Sequence, residues 1–408
     1  MPKIMPKSMP KSMPKILIFN TEEVGPSFCN HTAARAANRY LWLLEEGDIA
    51  ITPTPPNEAH WNYVQSIIPG MTYPLSPSSP VSAGGLIHRI VADQALIEHL
   101  RKIITKKQKL DIQFQLCTYF PSPEILQLSK ILDIPLHPLM PSTEFLQAGL
   151  SLKFNSKSYI TQLAPKLNIP VVPGVVVNNK QQLTAAINNY GNNSAVMIKK
   201  TLSAGGYGNH AGTPSQLQPL IEEMPSQIEE MIVGPLLPFT KTIGSLAEIG
   251  SEQIKFLGMD LQIIKQYGWC GLQYPYPFPL DIQKKIKNWT MILAEHLQSL
   301  GGRGYLNLDF GVIENAEKDT GETASILLLE SNFRYNGFSL MLRILELIHG
   351  HTLPHAHLYY SANWRPSTDQ LQTLFPHGNY EQQGIFQLDG TGQYVCFSKV
   401  PRVLVDEK

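Results

Sequence analysis

The segment Met197-Ile198-Lys199-Lys200-Thr201-Leu202-Ser203-Ala204-Gly205-Gly206-Tyr207-Gly208 decides the architecture of this 408-residue chain. Residues 195–200 run apolar into two lysines, the pattern of a short strand with charge at its exit. A polyphosphate needs fixed positive charge and backbone amides that approach it closely, and glycine permits that approach. Gly205, Gly206 and Gly208 follow soon enough for a loop to fold over phosphates while Lys199 reaches them from the strand. Taken alone, the same cluster is also the mark of an ordinary glycine turn.

Working outward, Lys157 opens a predicted helix to about residue 167, and Ile169-Pro170-Val171-Val172-Pro173 leads into a strand at 175–177 and a helix near 181–190. Downstream, Gln227-Ile228-Glu229-Glu230-Met231-Ile232-Val233-Gly234 reads as a strand that stops at Gly-Pro. Antiparallel strands are expected at 241–250 and 254–264, then a helix at 281–299 and strands at 305–313 and 326–330 joined by the polar stretch 314–323.

The last two strands carry acids: Asp309 in Leu306-Asn307-Leu308-Asp309-Phe310 and Glu330 in Leu327-Leu328-Leu329-Glu330-Ser331-Asn332. An unpaired charge in such a setting is costly, and two compensations are open. Magnesium takes a few hard oxygen ligands together with phosphate and water, which makes Asp309, Glu330 and Asn332 a candidate metal set. Salt bridges to Arg303 or Arg334 are the structural alternative.

In this order the elements resemble the ATP-grasp superfamily over about 150–340. The resemblance implies ATP as cofactor with Mg2+, Mn2+ being a substitute. Lys157, Lys199, Gly205, Gly206 and Gly208 would hold phosphates, and Asp309, Glu330 and Asn332 would hold the metal. Glu229, Glu230, Met231 and Ile232 are similar to the hinge whose backbone reads adenine. Arg334, then Arg303, would neutralise the transferring phosphate and the later oxyanion. One departure is visible: where many relatives carry a ribose-binding acid, this chain has Leu236.

Before this module, Ile16-Leu17-Ile18-Phe19 reads as a buried strand, followed by a helix near 32–46, strands at 48–52 and 112–119 and a helix at 124–132. Alternating strands and helices predict a parallel layer domain. Its Ala33-Ala34-Arg35-Ala36-Ala37-Asn38-Arg39-Tyr40-Leu41-Trp42 stretch and Gly47-Asp48-Ile49 resemble the lead domain of pheganomycin-type peptide ligases. The expected fold class is therefore α/β and α+β: a Rossmann-like pre-ATP-grasp domain at 15–147, then an ATP-grasp fold at 148–345 with a small nucleotide-clamping subdomain at about 180–233. A tail of Met-Pro-Lys repeats at 1–14 and an unassigned C-terminal extension at 346–408 complete the chain.

Composition narrows the function classes. The 33 basic and 33 acidic residues cancel, so no global field draws nucleic acid or an anionic membrane. No apolar run is long enough to span a bilayer, and the four cysteines, Cys29, Cys117, Cys270 and Cys396, have no zinc or dithiol spacing. A cytoplasmic protein is expected, with a homodimer as the base-rate assembly. Tyr267, Trp269, Tyr274, Tyr276 and Phe278 suggest either an acceptor-site wall or a packed aromatic lid. His349, His351, His355 and His357 lack a second matched ligand set, so zinc is disfavoured.

The expected activity is ATP-dependent ligation of a carboxylate to an amine through an acyl phosphate, with an amino acid or short peptide as substrate. The rival readings are ATP binding without catalysis and a ligase whose acceptor is not an amine.

Overall fold

Apolar Ile16 and Ile18 place Lys15–Ile18 (β1) at the centre of a three-stranded parallel sheet, flanked by Ile49–Ile51 (β2) and Gln115–Thr118 (β3). The computed structural model describes residues 13–24, 37–314, 324–349, 357–361, 385–387 and 394–398. Most residues of these strands are buried, as parallel strands are when helices cover both faces. Helices Glu58–Ile67 and Gln94–Gln108 start where Asn57 and Asp93 accept the His60 and Leu96 amides, satisfying donors that a helix start would otherwise orphan. The helix expected near 32–46 is, in its described part, a 3-10 helix at Ala37–Leu43; residues 25–36 lie outside the described set.

A second, four-stranded antiparallel sheet holds Val175–Asn179 (β4), Val196–Lys200 (β5), His210–Gly212 (β6) and Gln227–Pro235 (β7), in the order β4-β7-β5-β6. Helices Lys180–Asn188 and Pro214–Glu223 pack on it around Val177, Leu183, Ile198, Leu217 and Val233. This separate core lets the small sheet hold its shape apart from the rest.

The largest sheet contains Lys241–Ile249 (β8), Ile254–Lys265 (β9), Gly268–Tyr274 (β10), Gly304–Glu314 (β11), Ala324–Phe333 (β12), His357–Ser361 (β13), Ile385–Gln387 (β14) and Tyr394–Ser398 (β15). Its order is β12-β11-β8-β9-β10-β13-β15-β14. Helix Leu280–Ser299 buries Ile286, Leu293 and Leu297 against it. Each such side chain contributes roughly 1.5–3 kcal/mol on burial.

Residues 268–274, expected as part of an aromatic loop, are a strand. The aromatics divide accordingly: Tyr274 packs on Phe338 with centroids 5.2 Å apart, Tyr276 packs on Phe278 at 4.7 Å, and Tyr267 and Trp269 face a cavity. Helix Gly337–His349 crosses position 345 and packs its Phe338, Leu340 and Met341 into the core of the N-terminal layer, and β13 pairs with β10. His351 and His355 lie outside the described residues. Among the described residues no helix is long and apolar enough to cross a membrane.

Candidate active site

Four strands bring one row of residues into register: Glu330 on β12, Asp309 on β11, Gly244 on β8 and Asp260 on β9. Residues directly opposite on neighbouring strands share a face of the sheet, so three carboxylates and one gap line up. A β-bulge follows Asp309, a feature that re-aims side chains beside sites.

Asp309 accepts hydrogen bonds from Gln262 Nε2 at 2.6 Å, Asn307 Nδ2 at 2.7 Å and Asn332 Nδ2 at 3.1 Å. Glu330 Oε2 pairs with Lys157 Nζ at 2.7 Å, so lysine rather than Arg303 or Arg334 compensates it. Burial and the neighbouring Glu330 charge hold the Asp309 carboxyl well above its usual range. Burial alone would raise Glu330 too, but Lys157, a hydrogen bond from Asp309 and the Lys199 charge outweigh it and bring Glu330 to about 2. The two neighbouring acids are thus pushed in opposite directions, Asp309 up and Glu330 down.

Lys157 begins helix Lys157–Leu163, whose N-cap Ser156 accepts the Tyr159 amide. Its amide donates to Thr201 O at 2.9 Å and its Nζ to Ser203 Oγ at 3.3 Å, tying it to the exit of β5. Lys199 lies beside the acids; burial lowers its pKa against the pull of Glu330. Lys200 turns away, pairing with Glu229 Oε2 at 3.0 Å and covering the Tyr207 ring at 5.3 Å.

The glycine loop is seated on the β9–β10 turn. Gly205 and Gly206 have φ of 64° and 82°, and a Cβ on Gly206 would lie 2.5 Å from Tyr267 O. Trp269 N donates to Gly205 O at 3.3 Å and Asn209 Nδ2 to Tyr267 O at 3.1 Å. Gln266 and Tyr267 themselves have φ of 47° and 63°, the left-handed pair that a tight two-residue hairpin demands. Gly208 packs behind the loop on the Lys200 stem.

A cavity of about 1000 Å³ lies over this row. Of the residues singled out in the sequence it is lined by Lys157, Lys199, Gly205, Gly206, Ile232, Asp309, Glu330, Asn332 and Arg334. Gly208, Glu229, Glu230, Met231 and Arg303 are not in its wall. β7 is an interior strand, so Met231 and Ile232 have ladder neighbours on both sides, Lys200 and Lys199 on β5 and Val177 and Val176 on β4. Glu230 is occupied as well: its carbonyl accepts from Thr201 N at 3.1 Å and its carboxylate from Ser158 Oγ at 2.7 Å. The stretch that faces the cavity is instead Gly234 to Phe239. Arg303 lines a separate small cleft, together with Cys117, Tyr305 and the far side of Arg334.

Arg334 is 6% exposed. Its Nη1 donates to Asn155 Oδ1, and its buried Nε has no hydrogen-bond partner. Asn155 also accepts from Phe333 N at 3.0 Å and donates to Phe333 O at 3.1 Å, clamping the end of β12 that aims the arginine. The sequence reading passed over Asn155, Gln262 and Asp260, and also Arg39, Tyr40 and Tyr119, which the N-terminal layer contributes to the same cavity. The Tyr40 and Tyr119 hydroxyls are 3.3 Å apart. Asp260 carried a readable signal, a lone acid in the apolar run 256–261, the same pattern that singled out Asp309.

Asp260 is 1% exposed, and its Oδ1 has no hydrogen-bond partner. Burial pushes its carboxyl up to about 7. A Cβ at Gly244 would lie 2.1 Å from this oxygen, so the carboxylate leans across the gap in the row.

Comparison with known proteins agrees with this architecture. The family described as the pre ATP-grasp domain matches residues 37–134. An N5-carboxyaminoimidazole ribonucleotide synthetase in its ADP complex superposes with a TM-score of 0.58 at 14% identity, covering 95% of this chain and 93% of that one. The fold is ATP-grasp. The Aspergillus clavatus N5-carboxyaminoimidazole synthase with ADP and 5-aminoimidazole ribonucleotide gives 0.55 at 12% identity, over 96% of this chain and 95% of that one. The biotin carboxylase domain of the Hydrogenobacter thermophilus 2-oxoglutarate carboxylase, with MgADP, ADP and bicarbonate, gives 0.51 at 10% identity, over 85% and 74%. No curated protein matches the sequence at a significant level. At 10–14% identity these structural likenesses show the fold alone.

Proposed function

We propose that this ATP-grasp chain is an ATP-dependent, ADP-forming ligase that joins a carboxylate to an amine through an acyl phosphate, with an amino acid or short peptide as substrate. The observation that carries this reading is the convergence of Lys157, Lys199, Asp309, Glu330, Asn332 and Arg334 on one cavity of about 1000 Å³. Drug-sized ligands fill about 300–1000 Å³, so the space suits a nucleotide with a second small molecule beside it.

The donor set fits magnesium. Asp309 and Glu330 are paired across β11 and β12 and line the cavity with Asn332, and these hard oxygen donors would hold a divalent ion together with phosphate oxygens. When bound, the ion supplies charge neutralisation to the phosphates. Lys157 and Lys199, which line the cavity beside these acids, would meet the same phosphate charge, and Gly205 and Gly206 let the loop backbone approach it. Val172, Met197, Leu236 and Leu328 form an apolar wall for the purine. Arg334, held by Asn155, offers its free Nε to the oxyanion formed as the amine attacks. Loss of phosphate then leaves the amide.

The test is ADP release from MgATP with pooled amino acids, short peptides and bicarbonate, with hydroxylamine in a parallel tube and mass spectrometry on both. Acid-dependent ADP release with a hydroxamate or a dehydrated product supports the reading. Tight ATP binding with no turnover from any pool overturns it in favour of a nucleotide-binding regulator.

A further inference from the structure

Of the three acids in the row, two have partners. Glu330 has Lys157, and Asp309 has Gln262, Asn307 and Asn332. Asp260 lines the cavity with a buried oxygen that has no hydrogen-bond partner. A buried carboxylate without a counter-charge is costly, and its Oδ1 takes the place that a Cβ at Gly244 would fill, so that glycine leaves the carboxylate its room over the sheet. Gln262, two residues on, reaches Asp309 at 2.6 Å and so links this corner to the candidate phosphoryl-transfer end.

We propose that Asp260 receives the ammonium group of the amine substrate, which makes it a specificity-determining residue and the acceptor a primary amine that enters as a cation, leaves one proton on the Asp260 carboxylate and attacks as the neutral amine. The inference rests on the ligase reading above. An ammonium ion suits one carboxylate: it is a compact charge with three donors. A second metal ion would need several hard oxygen ligands, where Asp260 offers one carboxylate. The position is also apt, because an amine held at Asp260 stands on the same sheet face as the acids of the activation site, one open strand position away from Asp309.

Asp260→Asn removes the charge and keeps the shape. With the acid identified by hydroxamate trapping, the variant is assayed with two nucleophiles: the amine acceptor, and hydroxylamine, which is uncharged at neutral pH. The KM for the amine should rise about 10- to 100-fold, the loss expected for a charge-assisted contact. Hydroxamate formation and the KM for ATP should stay within about twofold. An unchanged amine KM, or equal loss with both nucleophiles, overturns the assignment while leaving the ligase reading intact. Absence of any hydroxamate in the wild-type protein overturns the ligase reading itself. A readout that needs no variant uses the uncharged hydroxy analogue of the amine as a competitive inhibitor: binding about 10-fold or more weaker supports the proposal, and equal binding overturns it.

Discussion

The two ends of the cavity treat charge in opposite ways. Around Glu330 each group meets an opposite or a donor: Lys157 at 2.7 Å, and three amide groups on Asp309. Around Asp260, a buried carboxylate oxygen has no hydrogen-bond partner. The first arrangement is a self-consistent network that holds its geometry before any ligand arrives. The second carries a desolvation cost that only a ligand of the right charge relieves. Preorganisation and recognition are thus separated along one row of a β-sheet.

Breaking the balanced end should have the largest effect. Glu330→Gln strips Lys157 of its ion-pair partner and the proposed metal set of a ligand, and kcat for acid-dependent ADP release should fall on the order of 1000-fold. Arg334→Ala should cost about 100- to 1000-fold in kcat with the fold intact, and Asn155→Ala, which leaves the arginine present but unheld, about 10-fold. Equal losses in the two would show that the orientation set by Asn155 carries the whole effect; full activity in Arg334→Ala would remove this residue from the chemistry.

Stability against pH sharpens the contrast. The Asp260 carboxyl sits near 7 in the fold, above the about 4 of an exposed aspartate. The folded chain thus binds this proton more tightly than the unfolded chain, and the cost of Asp260 grows as pH rises from about 4 to 7. Asp260→Asn should melt with the wild type at pH 4 and about 2–5 °C above it at pH 8. Glu330 has the opposite sign: held at about 2, it stabilises the fold above the ordinary carboxylate range and loses that contribution as pH falls through 2. Melting curves of both variants across pH test the pair, and parallel slopes would refute it.

The smallest effect separates two adjacent glycines. At Gly205 an added Cβ meets nothing within 4 Å, whereas at Gly206 it meets Tyr267 O at 2.5 Å. Gly205→Ala should cost only the left-handed backbone penalty of about 1 kcal/mol. Gly206→Ala should in addition unseat the loop from the β9–β10 turn and raise the KM for ATP by about 3- to 10-fold. Thermal melting and ATP titration distinguish them.

Much of this was legible along the chain. The β11 and β12 acids stood out because charge interrupts apolar strands, and Lys199 because a glycine loop follows it. Strand positions came within a few residues where β-branched runs were bounded by Pro or Gly, as at β4 and β7. Of the hinge stretch 229–232, Ile232 reaches the cavity wall and the other three do not, because the place of this strand between β4 and β5 is a pairing between distant segments. The strand at 268–274 was hidden because its aromatics run straight into the proline-rich stretch 275–279, and such a segment reads equally as loop or strand.

Local chemistry thus determined which residue types could handle phosphate, metal and developing charge, since desolvation cost and backbone freedom act within a few residues. Only the tertiary structure decided which of them meet. The register that sets Glu330, Asp309, Gly244 and Asp260 in one row depends on four strands separated by up to about 90 residues in the chain, and whether a buried carboxylate has a partner is settled by neighbours that the chain brings together only when it folds.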